Sequence, residues 1–172
     1  MADPRGFLKH GREGVEYRPV DSRLEDYWGF VARIAGRYPK RSTGTRVRFS
    51  TEIGYAPETP TNTALNLPGS GDTDGYAAAV TVSLMDFAPR HSLGFNYAHT
   101  EAGWLLSPQY NKNERLIELR YVWVTTPILT LDARLRHRED LHRELDAAQR
   151  RRELDAFVRL TWKFRRDSLF QQ

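Results

Sequence analysis

The feature that most constrains this chain is an alternation of apolar and polar side chains with period two. It begins at Trp28 and persists almost to the C-terminus. Successive side chains of an extended strand point to opposite faces, so such a run has one greasy and one wet side. Trp28–Tyr38 sets Trp28, Phe30, Ala32, Ile34 and Tyr38 against Val31, Arg33, Ala35 and Arg37. Thr45–Tyr55 sets Val47, Phe49, Thr51, Ile53 and Tyr55 against Arg46, Arg48, Ser50 and Glu52. Tyr76–Met85 and Ser92–His99 repeat the pattern with Val80, Val82, Leu84, Leu93, Phe95 and Tyr97 on the apolar side. Arg115–Thr125 opposes Ile117, Leu119, Tyr121 and Trp123 to Glu118 and Arg120. Leu129–Arg138 opposes Leu129, Leu131, Ala133 and Leu135 to Thr130, Asp132, Arg134 and Arg136. Leu154–Phe164 opposes Ala156, Val158, Leu160, Trp162 and Phe164 to Arg159, Thr161 and Lys163. A helix would scatter Arg134, Arg136 and Arg138 around a cylinder beside Leu131 and Leu135, so the reading is all-β, with antiparallel amphipathic strands.

The connections alternate in length. Pro39–Gly44, Phe87–Arg90 and Thr126–Ile128 are short, whereas Ala56–Gly75, Gly103–Glu114 and Glu139–Glu153 are long and polar. Tight turns on one side and long loops on the other are the rhythm of an outer-membrane barrel. Runs near ten residues also fit a tilted crossing of a hydrocarbon core about 30 Å thick, and exceed the usual soluble strand of about five or six residues. Aromatic residues gather at run ends (Trp28, Tyr38, Tyr55, Tyr76, Trp123, Trp162, Phe164), as interfacial girdles do.

Alternation alone does not say which face meets water. In a soluble barrel or sandwich the apolar face is inside, which would make this chain a ligand-binding module. In a membrane barrel the faces exchange. On the membrane reading, Arg33, Arg37, Arg46, Arg48, Arg120, Arg134, Arg136, Arg159 and Lys163 line a water-filled passage. Fixed cations lower the barrier for anions, and guanidinium forks match phosphate oxygens in pairs. The competing reading is a solvated face neutralised by Glu52, Glu118 and Asp132. Seven strands do not close a barrel of this type, whose single-chain bacterial examples run from about eight strands upward in even numbers. The expectation is therefore an unclosed portion of a larger barrel: a polar leader over residues 1–27, a partial barrel over 28–164 and a tail over 165–172.

Composition removes other classes. The chain has no cysteine, hence no disulfide, Fe–S cluster or thiolate metal site. No apolar run reaches the length of a membrane-spanning helix, and Met1–Phe7 lacks the pattern of a secretory signal. Gly69–Gly75 precedes a strand and lacks the helix N-terminus that a phosphate loop requires. Asp72-Thr73-Asp74-Gly75 shares one corner of a calcium loop without its closing Glu. His137, Glu139, Asp140 and His142 sit among Arg136, Arg138 and Arg143, which oppose a cation. Arg150-Arg151-Arg152 has no interleaved aromatics for nucleic acid, and no nucleophile elbow or ordered triad is visible. We thus expect no enzyme activity, cofactor, metal or nucleic-acid partner. Leu141, Leu145 and Ala148, with the pairs Glu139/Arg143 and Asp146/Arg150, suggest a short helix in the last long loop, with two strand ends and a turn near Asp146–Ala148 as the alternative.

Two resemblances add to this. Residues 45–164 resemble the C-terminal part of the phosphate-selective porins of Gram-negative outer membranes. The residues carrying it are Ser83–Gly94, Glu101–Pro108, Asn113-Glu114-Arg115, Glu118–Tyr121 and the closing Val158–Phe164. The resemblance implies outer-membrane localisation and homotrimeric, sixteen-stranded barrels passing phosphate and related anions across the lipid bilayer; it carries over no individual selectivity residue. Separately, Asp3–Lys9, Tyr17–Val20 and Arg23–Tyr27 resemble the opening of the glutamate synthase small subunit. That family's chemistry implies cysteine-bound clusters and dinucleotide fingerprints, which this sequence lacks, so this reading is of a remnant without activity.

Overall fold

The computed structural model describes residues 27–39, 43–106 and 110–163. Residues 1–26 of the leader, the closing aromatic Phe164 and the tail 165–172 lie outside the described residues. The described chain is all-β. Seven strands follow in order: β1 (Phe30–Tyr38), β2 (Arg46–Tyr55), β3 (Tyr76–Ala88), β4 (His91–Thr100), β5 (Glu114–Thr126), β6 (Leu129–Asp140) and β7 (Arg152–Trp162). Each pairs antiparallel with its sequence neighbour in one sheet of order β1-β2-β3-β4-β5-β6-β7. The sheet is an open meander, with β1 and β7 as its edges.

Register converts the sequence alternation into two continuous faces. Across one face run rows such as Tyr38–Val47–Leu84–Leu93–Tyr121–Ala133–Val158 and Phe49–Val82–Phe95–Leu119–Leu135–Ala156. Across the other run Arg37–Arg48–Ser83–Gly94–Arg120–Arg134–Phe157 and Glu52–Ala79–Ala98–Leu116–Arg138–Glu153. A slip of one residue anywhere would mix the two, which is why the pattern specifies register so tightly.

The large side chains of the apolar face are the more exposed, and the carboxylates of the polar face the more covered. On the apolar face Ile34 is 68% exposed, Leu119 44% and Leu160 63%. On the polar face Glu114 is 2% exposed and Asp132 3%. Packing between strands is confined to sequence neighbours, and no second layer of strands covers the apolar side among the described residues. The small core consists of Ala79, Ala98 and Leu116, and it lies on the polar face. Tyr110, in the connection between β4 and β5, packs against this core from the polar side.

The strands exceed the sequence expectation at several ends. β3 continues through Met85–Ala88 by way of a bulge, with Asp86 at φ 54°. β6 and β7 reach Asp140 and Arg152 because charged pairs carry the ladder onward: Glu139 faces Arg152, and Arg138 faces Glu153. Trp28 precedes β1 but stays on its apolar side, edge-on to Phe30 at 5.0 Å. The last long connection contains no helix. Its backbone closes instead with Asp140 N–H donating to Arg151 O (3.0 Å), and turns at Glu144–Ala147. Leu145 N–H donates to Asn66 O (2.8 Å) in the first long loop, so contact between loops outweighs the local i,i+4 ion pairs.

Candidate functional site

Strand alternation delivers Arg33, Arg37, Arg46, Arg48, Arg120, Arg134, Arg136 and Arg159 to the polar face, and Lys163 follows β7 with its backbone N–H on Ile128 O (2.8 Å). They fall into two groups with different electrostatics. The β5–β7 group is tied to carboxylates. Asp132 accepts from Arg120 Nε (3.0 Å), Arg120 Nη2 (2.7 Å) and, from the other flanking strand, Arg159 Nη2 (2.8 Å). Glu118 accepts from Arg136 Nε (2.9 Å), with Arg134 Nη1 at 3.7 Å. Arg134 also lies over the Phe157 ring at 4.9 Å. Asp132 and Glu118 are each shared by two guanidiniums, and the same face of β5–β7 also carries Glu114, Asp140, Glu153 and Asp155.

The β1–β2 group is different. Arg33 Nε donates to Ser50 Oγ (3.2 Å), and neither Arg33, Arg37 nor Arg48 has a carboxylate partner within ion-pair distance among the described residues. Arg37 and Arg48 are direct cross-strand partners, as are Arg120 and Arg134. Like charges placed opposite one another destabilise a sheet. Asp132 and Glu118 offset the second pair; the first has no such partner. Arg33 and Arg48 border a cleft of about 250 Å³ with Ser50, Glu52, Thr81, Ser83 and Tyr110. At the short-turn end Arg46 pairs with Asp86 of the β3 bulge. The Nε donors of Arg46, Arg134 and Arg138 are buried with no acceptor among the described residues, so these three guanidiniums hold more N–H donors than the acceptors around them satisfy.

Sequence reasoning missed the covering of this face. The connection between β4 and β5 folds onto it. Trp104, 3% exposed, lies against Gly54 and Gly29: a Cβ on Gly54 would stand 2.5 Å from the indole. Tyr110 packs on the Ala79–Ala98–Leu116 core and its hydroxyl donates to Asn96 Oδ1 (3.3 Å). Tyr27 fixes the near end of the loop by donating to Gly103 O (2.8 Å) and accepting from Leu105 N–H (2.9 Å). Burial raises the Tyr27 pKa, working against the Leu105 hydrogen bond. The signal was present in the sequence as small residues (Gly54, Ala77, Ala79, Ala98) on the polar side of three adjacent strands, a cradle for bulky loop side chains.

The loops are also tied to one another. Asn113 and His142 exchange two hydrogen bonds of 2.8 Å, Asn66 Nδ2 donates to Asp146 Oδ1 (2.7 Å), and Arg151 bridges Glu114 (2.8 Å) and Asp140 (3.0 Å). Alternation separates the acidic and histidine residues of this region: His137 and Glu139 take the apolar side, Arg138 and Asp140 the other. In the first long loop, Thr61 bridges Asp72 and Thr73 N–H donates to Pro60 O (3.0 Å), so Gly69–Gly75 is one arm of a closed loop. No family model matches the chain, and neither a curated protein nor a solved structure is significantly similar to it.

Proposed function

We propose that this chain is part of an outer-membrane β-barrel, and that its arginine-bearing face lines an aqueous path for small anions of the phosphate type. One observation carries the reading: the apolar face is exposed across all seven strands, while on the opposite face the carboxylates Glu114 and Asp132 are covered and the guanidiniums of Arg33, Arg37, Arg48, Arg120 and Arg159 stay open. In water, a continuous exposed apolar face of this extent is far beyond the patches that monomers carry. In a bilayer the same arrangement is the expected one.

The dimensions agree. From Tyr76 to Leu84 on β3 there are eight residue steps, about 27 Å along a strand. At a tilt of about 40° that is about 21 Å of height, near the apolar band of about 25 Å in such barrels. Aromatic residues bound the band at both margins. Trp28, Phe30, Tyr55 and Tyr76 stand at the long-loop end. His91 stacks on Trp123 at 5.3 Å at the short-turn end, beside Tyr121.

On the inner side, a passage bordered by guanidiniums attracts anions and holds them in pairs of N–H donors. The Arg37–Arg48 pair and the Arg33/Arg48 cleft, where two guanidiniums and the hydroxyls of Ser50, Thr81, Ser83 and Tyr110 stand against the one carboxylate of Glu52, favour an oxyanion over a cation. Tyr110 and Trp104 narrow that side of the path. The resemblance of residues 45–164 to phosphate-selective porins points the same way, including trimeric assembly of a complete barrel. The soluble ligand-binding module is less favoured, since it would need a second layer over the apolar face.

Reconstitution into planar bilayers tests the proposal. Expected is a conductance whose reversal potential in a salt gradient reports anion preference, reduced by Arg33→Gln with Arg48→Gln. Cation preference, or a chain that folds cooperatively in detergent-free buffer as a monomer, would overturn it.

A further inference from the structure

The aromatic margin at the long-loop end does not extend to β5–β7. Where a girdle residue would stand, the register places Arg115, Glu139 and Arg152 side by side on the apolar face. Arg115 Nη2 donates to Glu139 Oε2 (2.8 Å) and Arg152 Nη2 to Glu139 Oε1 (3.4 Å). Glu139 sits between them, its side chain 11% exposed, while those of Arg115 and Arg152 are 45% and 71% exposed. Two outward guanidiniums thus share one nearly covered carboxylate, leaving an excess positive charge and several free N–H donors. Beyond the end of β4, the Glu101 carboxylate is held by His99 (2.9 Å) and His142 (3.3 Å).

What lies below this triad is as informative. The next rows toward the short turns are Ile117–His137–Leu154, Leu119–Leu135–Ala156, Tyr121–Ala133–Val158 and Trp123–Leu131–Leu160. Apart from His137 in the first, they form an uninterrupted greasy strip under a cationic head. Building on the membrane orientation above, we infer that Arg115 and Arg152 form an outward-facing site for the phosphate of an anionic lipid, whose acyl chains lie along this strip. A free anion would engage the guanidiniums but would gain nothing from the strip; an amphiphile uses both. The site is separate from the arginines of the inner face, which lie on the opposite side of the same strands.

The test uses the full chain folded in a neutral detergent, titrated with phosphatidylglycerol, phosphatidylcholine or inorganic phosphate, and read by native mass spectrometry. Expected is preferential retention of phosphatidylglycerol, falling about fivefold for each arginine replaced, the weight a basic side chain carries at an anionic surface. Arg115→Gln with Arg152→Gln should abolish the preference, whereas Arg115→Lys with Arg152→Lys should keep part of it, since charge remains and the planar fork is lost. Arg33→Gln with Arg48→Gln should leave it unchanged. Because Arg152 is on an edge strand and well exposed, Arg152→Gln alone gives a readable result if the double variant does not fold. Equal retention of the two lipids, an unaltered preference in the double Gln variant, or full displacement by inorganic phosphate would each overturn the inference. Those results leave membrane insertion untouched, so they are distinguishable from failure of the membrane orientation, which would show as a chain that takes up neither lipid nor detergent.

Discussion

Replacing Leu119 by Asp asks the two orientations of this sheet for opposite answers. Leu119 lies near the middle of β5, level with Phe95 on β4 and Leu135 on β6, and 44% of its surface is open. If hydrocarbon covers that open part, the substitution loses roughly half the transfer energy of a buried Leu, about 1 kcal/mol. It also places a carboxyl near mid-bilayer, which costs somewhat less than the about 2–4 kcal/mol of a basic residue there. The sum is about 3 kcal/mol, or about a hundredfold in the folded-to-unfolded ratio, since about 1.4 kcal/mol is tenfold. If water covered the face, an exposed Leu→Asp change would fall within about 0.5 kcal/mol of neutral and would raise solubility. Urea titration of the chain refolded into phosphatidylcholine vesicles, with flotation to score insertion, measures the difference. A variant as stable and as well inserted as the parent would refute the reasoning, because no lipid-facing position at that depth accepts a carboxylate without cost.

Other outcomes follow from the inner face. Asp132→Asn removes the acceptor shared by Arg120 and Arg159; hydrogen bonds to a charged group contribute about 1.5–3 kcal/mol, partly screened here, so a loss of about 2 kcal/mol in urea melts is expected together with stronger anion preference in bilayers. Gly54→Leu would collide with Trp104, and faster proteolysis of the β4–β5 connection than in the parent is expected. Tyr27→Phe deletes both hydrogen bonds of the loop anchor, at about 1 kcal/mol each, again read as faster cleavage near Gly103. Since burial raises the Tyr27 pKa, its contribution is complete below the ordinary tyrosine value and is lost as pH climbs through the raised one; protection of the loop should therefore persist into alkaline buffer and disappear only beyond it.

The strands were legible because their information is local and redundant. Every residue of β5 from Ile117 to Trp123 repeats the same choice of face, so one ambiguous position such as Val122 cannot shift the register. Strand ends were less legible, since Glu139, Arg152 and Glu153 look like loop residues until their partners are known. The helix expected around Leu145 rested on spacing that is real, but the backbone N–H of Leu145 found Asn66, far back in the chain's first long loop. The basic residues of the polar face could be assigned to one side from alternation alone; their division into a carboxylate-tied and an uncompensated group could not. That division depends on Asp132 lying between Arg120 and Arg159 on flanking strands, which is a matter of register between strands rather than of pattern within one. The inward fold of Trp104 and Tyr110 was hardest to see, because its only trace was the small size of side chains on other strands.

The absence of cysteine makes the orientation of the sheet directly measurable. Single cysteines placed one at a time from Leu116 to Trp123 on β5, spin-labelled in the vesicle-bound chain, can be scored for collision with oxygen, which partitions into lipid, and with a water-soluble nickel chelate. The account predicts an alternation of period two, with labels at Ile117, Leu119, Tyr121 and Trp123 relaxed by oxygen and those at Glu118, Arg120 and Val122 by nickel. Alternation of the opposite phase, or labels at Leu119 and Tyr121 shielded from both reagents, would contradict it.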